Sequence, residues 1–284
     1  MRTWWWWLAL AACSSSAEEA PATEPLNVDR PAEPPVETRT DAALVSALGF
    51  VGVVDGTAEG FDLDGVTSDA SDDQGCGHVD AVDSAGRTGI DNTFAGLVPV
   101  LMATEASALE DLLRQSIANG QLLMVIDVTT PLDDPGACAD VTVWRGVGAP
   151  LLGSDGAVLD AQTLGVIEPV TVSCVPVVDG VVEARGFSLD LPLQVLDVDV
   201  VLHLQNVAIR AEMGPDGWTG ILGAGIPVED IEQILDEDDI ADLAELLRPL
   251  VQELADLFPD ADGHCTAVSA TLAFDALPAF VEPL

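Results

Sequence analysis

The chain has 284 residues, of which 49% are hydrophobic, so it can form a folded core and is not disordered throughout. It carries 49 acidic residues against nine basic ones, all arginine, and a formal net charge of −40. This charge repels phosphate backbones and anionic head groups, which excludes nucleic-acid binding and a basic membrane-binding face. The acidity leaves two explanations, adaptation to salt and attraction of cations.

The first thirteen residues are ordered like an export signal. Arg2 supplies one positive charge, residues 4–10 are apolar, and two small residues precede Cys13. Because a membrane-spanning helix needs roughly 20 apolar residues, this run is too short to be one. We therefore expect residues 1–12 to be a signal peptide that is cleaved before Cys13.

The stretch Leu10-Ala11-Ala12-Cys13 resembles the lipobox of bacterial lipoproteins. The resemblance implies that Cys13 is acylated, with palmitate as a typical chain, and that the anchor makes the membrane a partner of the protein. It also implies a place in the cell envelope. Ser14 after the cysteine is similar to lipoproteins that are sorted to the outer membrane.

A change of composition divides the rest of the chain. Residues 13–40 are rich in proline and glutamate and have no apolar periodicity, which predicts an acylated, extended and solvated tether. Apolar patterns begin after Asp41. We expect residues 41–284 to form a single β-rich domain.

The first part of this domain predicts four elements in chain order. Residues 42–54 are apolar up to an Asp-Gly turn and predict a strand, followed by a long loop over 55–93. Leucines at helical spacing predict a helical segment near 93–119, and residues 121–129 predict a buried strand.

The middle of the domain predicts further strands. Asp179-Gly180 separates two β-rich runs, 170–178 and 181–185, which indicates a tight hairpin. Residues 195–213 alternate between apolar and polar side chains, and the alternation changes phase near Val207. A one-residue change of phase within a strand predicts a β-bulge.

The last part of the chain predicts helices and one more strand. Residues 228–258 carry leucine stripes at helical spacing, and residues 265–274 read as a strand. The whole pattern predicts a mainly β fold with helical insertions, α+β by content. We expect an antiparallel, sandwich-like sheet with the helices near 93–119 and 228–258 on one face or end.

Four cysteines remain beyond Cys13, and none forms a C-x-x-C pair. An even number of cysteines in an exported protein predicts disulfides, and four cysteines allow three pairings. Cys138 lies just before residues 141–144, which alternate and predict a strand, and Cys174 lies within the predicted strand 170–178, which favours pairing these two. Cys76 would then pair with Cys265, and both lie beside loops rich in Asp and Gly.

The loop over 55–93 is the best candidate for chemistry. Carboxylates and glycines alternate along it, and Asp62-Leu63-Asp64-Gly65 combines two acids with a tight turn. Calcium prefers six to eight oxygen ligands on flexible backbone, so this pattern makes Ca²⁺ a candidate cofactor. The candidate ligands are six aspartates: Asp62, Asp64, Asp72, Asp73, Asp80 and Asp91.

Two further features bear on the calcium hypothesis. The segment 89–92 resembles a fragment of the Asp-rich metal-binding repeats of secreted bacterial proteins, whereas the match to an EF-hand is poor. A second Asp-x-Asp-Gly, residues 260–263, would meet the first acidic loop if Cys76 and Cys265 were bridged. The alternative is a long, solvated acidic loop that holds no ion.

The motifs of common enzymes are missing from the sequence. It contains no G-x-S-x-G, no H-E-x-x-H and no phosphate-binding loop, which argues against an enzyme. We expect a lipid-anchored envelope protein that acts as a binding or structural module, for a protein or a glycan partner, and that is stabilised by calcium. The alternatives are an exported hydrolase with a glycosidase-like carboxylate pair and a carrier of apolar ligands.

Overall fold

A computed structural model describes residues 37–69, 71, 76–99, 107–132, 138–195, 198–236 and 241–284. Strands dominate these residues, which confirms a mainly β fold with helical insertions. The strands are β1 (Thr38–Phe50), β2 (Met124–Pro131), β3 (Ala139–Val147), β4 (Gln162–Val175), β5 (Val177–Val178), β6 (Val181–Val195), β7 (Val198–Met213), β8 (Trp218–Pro227), β9 (Leu257–Pro259) and β10 (Cys265–Pro283). The helices are α1 (Ser107–Ala118), α2 (Val228–Leu235) and α3 (Ala241–Leu254), with a 3₁₀ turn over Thr93–Gly96.

Strand β10 belongs to two parts of the sheet at once. The strand order is β1-β2-β3-β4-β10-β8-β7-β6-β5, and β1 also pairs with β10. Strands β1, β2, β3, β4 and β10 therefore close into a ring, and β8, β7, β6 and β5 extend from it. Starting at Ala42 of β1 and moving from paired residue to paired residue across β2 and β3, one arrives at Thr171 of β4. Moving in the other direction, across β10, one arrives at Gln162 of the same strand. Such a stagger is what closing a sheet requires.

The sheet is mixed rather than wholly antiparallel. Ala279–Pro283 of β10 runs parallel to Gln162–Val166 of β4. The sequence predicted that the last strand ends at Phe274, but it continues to Pro283. The residues beyond Phe274 alternate poorly because they pair with β1 and β4 across the closure of the ring and are buried unevenly.

Two apolar layers hold the sheet together. The larger one lies between the ring and strands β6–β8 and includes Ile126, Val143, Val207 and Leu222. The smaller one includes Leu44 of β1, Val125 of β2 and Leu164 of β4. Helix α1 packs on β1, where its residues Leu113 and Ile117 join the larger layer.

The helices are shorter than predicted. The segment expected over 93–119 contains the 3₁₀ turn and α1, and residues 100–106 lie outside the described residues. Helix α3 ends at Leu254 instead of Phe258. Leu257 continues the leucine spacing but is fully buried in β9 beside β10, so its periodicity reflects burial rather than helix.

Two local predictions are confirmed. Asp179 and Gly180 both have positive φ, +52° and +79°, as the favoured two-residue hairpin turn requires. Strand β7 has a bulge between Gln205 and Ala208, where Asn206 takes a φ of +48°. No helix within the described part of the chain combines the length and apolarity needed to span a membrane.

Candidate metal centre

Backbone pairing brings two distant segments of the aspartate loop side by side. The Asp91 amide donates to the Phe61 carbonyl at 2.9 Å, and Phe61 and Asp91 form an antiparallel bridge. Ala81 and Ile90 form a second bridge. Asp91 therefore lies beside the turn that begins at Asp62.

That turn is built by its own carboxylates. The Gly65 amide donates to Asp62 Oδ1 at 2.7 Å, and the Val66 amide donates to Asp64 Oδ1 at 2.8 Å. Gly65 has a φ of +81°, which glycine adopts without steric cost. Asp side chains commonly bond to backbone amides in this way at tight turns.

The turn and Asp91 together form a group of three carboxylates. One oxygen from each of Asp62, Asp64 and Asp91 lies within 4.8 Å of the others. Asp91 is 3% exposed, and its Oδ2 accepts the Leu63 amide at 2.6 Å. A cation at the centre of this group could be reached by all three side chains.

The electrostatics of the group favour a positive charge. The pKa of Asp91 is raised to about 8. Burial is the largest cause and the negative charges of Asp64, Asp256 and Asp80 add to it, whereas the Leu63 hydrogen bond acts in the opposite direction. Ionised Asp91 is therefore costly unless a cation compensates it. A divalent ion beside Asp91 would favour its ionised form instead.

Neutral oxygens lie beside Asp62 as well. Gly89 has a φ of +76°, and a Cβ on it would lie 3.0 Å from Thr67 Oγ1 and 3.3 Å from both Asp62 Oδ2 and the Val66 carbonyl oxygen. These three oxygens face the space that a side chain at residue 89 would fill. Carboxylate and backbone carbonyl oxygens are both ligands that calcium prefers in proteins.

The turn is fixed on the sheet by an aromatic anchor. Phe61 is fully buried, and the guanidinium carbons of Arg185 and Arg210 lie 5.1 and 4.9 Å from its ring centroid. Arg185 Nη1 donates to the Asp62 carbonyl at 3.1 Å. Asn206, at the bulge of β7, donates through Nδ2 to the Leu63 carbonyl.

Glu183 holds both arginines in place. It accepts Arg185 Nε at 2.7 Å and Arg210 Nε at 2.6 Å. Burial acts to raise the pKa of Glu183, but the hydrogen bonds and charges of Arg210 and Arg185 hold it below its ordinary value. The turn therefore rests on two arginines that share one carboxylate partner, Glu183.

The structure contains two disulfides, which confirms that prediction. Cys76 is joined to Cys265 and Cys138 to Cys174, the pairs that the sequence favoured, with Cα separations of 6.1 and 4.5 Å. The first bridge ties the aspartate loop to the start of β10. The second ties the start of β3 to the end of β4.

Only part of the predicted ligand set comes together. Asp62, Asp64 and Asp91 converge, whereas Asp80 is outside their group and accepts the Ser68 amide at 2.5 Å. Asp72 and Asp73, like Cys13, lie outside the described residues.

The second Asp-x-Asp-Gly is exposed and forms its own turn. Asp260 Oδ1 accepts the amides of Asp262 and His264 at 2.8 and 2.9 Å. Although the Cys76–Cys265 bridge joins the two acidic loops, this turn contributes nothing to the carboxylate group found among the described residues.

Sequence reasoning missed the neutral oxygens and the aromatic anchor. The segment 89–92 did point to a metal-binding turn, but it did not predict that Val66 and Thr67 face Gly89. The contacts of Phe61 with β6 and β7 join residues more than 120 positions apart, which no local pattern signals.

A groove of about 820 Å³ lies apart from the carboxylate group. It is lined by the start of β1, the end of β10 and the β7–β8 turn. Its wall includes the Arg39–Asp41 ion pair, at 2.9 Å, beside Met213, Trp218 and Phe280. Pockets for apolar ligands are lined predominantly by apolar groups. Most of the residues that line the groove are apolar, and Arg39, Thr40 and Asp41 are the polar ones, so its lining does not argue against a carrier of apolar ligands.

Comparisons with protein-family models, with curated proteins and with solved structures find no match to this chain.

Proposed function

We propose that this protein is a lipid-anchored component of the bacterial cell envelope whose β-rich domain binds a divalent cation, Ca²⁺, as a binding or structural module. The observation that carries the cation is the convergence of Asp62, Asp64 and buried Asp91. The acidity of the chain adds a general attraction for cations.

The same geometry argues against the hydrolase alternative at this site. The acid pair of a glycosidase lies about 5 to 10 Å apart and must reach the scissile oxygen. Here the three carboxylate oxygens lie within 4.8 Å of one another, and Asp91 is 3% exposed. A small ion fits these constraints better than a sugar does.

Calcium should stabilise the fold by mass action. Extracellular calcium modules bind at about 10⁻⁴ to 10⁻³ M, so 10 mM Ca²⁺ should add about 1.4 to 2.7 kcal/mol. For a domain of this size that corresponds to a rise in Tm of roughly 3 to 10 °C. Thermal unfolding at fixed ionic strength measures it, and Asp62→Asn with Asp64→Asn should abolish the rise.

The matched control is the exposed second turn. Asp260→Asn with Asp262→Asn removes the same two charges from the same motif and should keep the calcium response. A rise of the same size with NaCl at equal ionic strength, or a response that survives in the Asp62 and Asp64 variant, would mean that the loop is only a solvated acidic surface.

The anchor is a separate part of the proposal and rests on the resemblance at Leu10–Cys13. Several acyl chains at about 0.8 kcal/mol per buried CH₂ hold a protein stably, whereas one chain does so only marginally. Cys13→Ser should therefore move the protein from the membrane to the soluble fraction. Cys138→Ser with Cys174→Ser is the control and should stay with the membrane, and an unchanged distribution of the Cys13 variant would refute the anchor.

A further inference from the structure

Asp256 lies where three segments of the domain meet. It follows α3, is 4% exposed, and accepts the Ser269 amide through Oδ1 at 2.8 Å and the Ser269 hydroxyl through Oδ2 at 2.5 Å. Ser269 is fully buried in β10 and accepts the Thr93 amide through Oγ at 2.8 Å. Thr93 in turn donates through Oγ1 to the Leu254 carbonyl at 2.7 Å.

The neighbouring Asn92 extends this network to the aspartate loop. Its Nδ2 donates to the Val51 carbonyl at 2.9 Å, and its Oδ1 accepts the Thr271 amide at 3.2 Å. The end of the loop, from Asp91 onward, is therefore fixed to β10 by buried polar groups. We call Asp256, Ser269, Thr93 and Asn92 the polar latch.

The polar latch contains a carboxylate without an ion-pair partner among the described residues. The groups that donate to Asp256 are the Ser269 amide and hydroxyl, both neutral, and the nearby Thr93 hydroxyl donates to the Leu254 carbonyl. The charged groups that face it are Asp91, which repels its charge, and His78, which attracts it. A buried, unpaired charge is costly, so protonation of Asp256 removes this cost and stabilises the polar latch.

We propose that the polar latch is a pH-sensitive device that holds the end of the aspartate loop on β10 more firmly when Asp256 is protonated. The proton comes from solvent. Protonated Asp256 then donates to Ser269 Oγ, and the Ser269 hydroxyl donates to Thr93 Oγ1, which lies 3.3 Å away. The proposal needs no bound cation and goes beyond the proposed function.

The direction of the effect follows from linkage. Burial raises the pKa of Asp256 from 3.8 to about 6, against the hydrogen bonds of Ser269 and Thr93 and the charge of His78. Between these values the folded chain binds the proton more tightly than the unfolded chain does. Stability therefore rises as the pH falls from about 6 towards 4, and this gain is lost as the pH rises through about 6.

Amide hydrogen exchange at Thr93 and Ser269, in EDTA at pH 7.5 and pH 5.0, tests the latch. The protection factors should rise on acidification by about tenfold more in the wild-type chain than in Asp256→Asn. Both chains carry Asp91→Asn in this comparison, because the charges of Asp91 and Asp256 interact and the contribution of Asp91 would otherwise differ between them. Asp275→Asn, which replaces an exposed carboxylate on the same strand, should respond like the wild type.

An Asp256→Asn variant that keeps the full wild-type rise would overturn the proposal. If that variant does not fold, the carboxyl ¹³C shift of Asp256 in the wild-type chain decides the matter. A titration midpoint near 6 supports the latch, and a midpoint near 3.8 overturns it.

Discussion

At the scale of residues, the missing side chain of Gly89 leaves space beside Asp62. A Cβ there would lie 3.0 to 3.3 Å from Thr67 Oγ1, Asp62 Oδ2 and the Val66 carbonyl oxygen, closer than ordinary van der Waals contact. Gly86 has a nearly equal φ, +80° against +76°, but nothing lies within 4 Å of its missing side chain. The two glycines therefore share a positive φ and differ in what a methyl group would meet.

This difference gives a prediction for the addition of one methyl group at each position. Gly89→Ala and Gly86→Ala should each lose about 1 to 2 kcal/mol of stability, because alanine is strained at positive φ. Only Gly89→Ala should also weaken calcium binding, by at least about tenfold, because its methyl group displaces ligand oxygens. Isothermal titration measures both affinities, and equal calcium affinities in the two variants would contradict the assigned ligand set.

At the scale of elements, the two disulfides should contribute unequally. Cys76–Cys265 closes a separation of 189 residues, whereas Cys138–Cys174 closes 36. In the chain-entropy model these loops correspond to about 5 and about 4 kcal/mol of stabilisation. The longer bridge also holds the aspartate loop against β10.

Replacing each pair by serine tests this ranking. Cys76→Ser with Cys265→Ser should lower the free energy of unfolding by more than Cys138→Ser with Cys174→Ser, by about 1 to 1.5 kcal/mol in urea denaturation. The first variant should also bind calcium more weakly, and the second should not. The reverse order of stabilities would show that closing the long loop does not constrain the unfolded chain.

Some features of the strands and helices could be predicted from the sequence, and others could not. The bulge of β7 was predictable because the alternation of apolar and polar residues changes phase near Val207. The end of α3 was not, because Leu257 continues the leucine spacing while Asp256 leaves the helix to bond to Ser269. The closure of the ring by β10 depends on pairing between residues more than 100 positions apart and leaves no local pattern.

The candidate site divides in the same way. Asp62 and Asp64 were predictable from the Asp-x-Asp-Gly turn, and Asp91 from the density of acids. Exclusion of Asp80 from the group and burial of Asp91 depend on the Phe61–Asp91 bridge, which is a tertiary contact. The sequence therefore predicted which type of ligand the site contains more completely than it predicted which residues form it.

At the scale of the whole molecule, the net charge of −40 has two effects that must be separated. Self-repulsion over the whole surface is relieved by any salt, within a Debye length of about 10 Å at 0.1 M. A site that combines buried Asp91 with Asp62 and Asp64 responds instead to one ion at low concentration. Generic screening acts on every acidic turn alike, so it cannot distinguish residues 62–65 from residues 260–263.

The most direct test of cation binding is an anomalous difference map from crystals grown in calcium. The account predicts a peak between Asp62, Asp64 and Asp91, with oxygens at about 2.3 to 2.6 Å that include Thr67 Oγ1 or the Val66 carbonyl. It also predicts that the peak disappears in Asp62→Asn with Asp64→Asn. Crystals in millimolar calcium whose map is featureless between these three carboxylates would contradict the account.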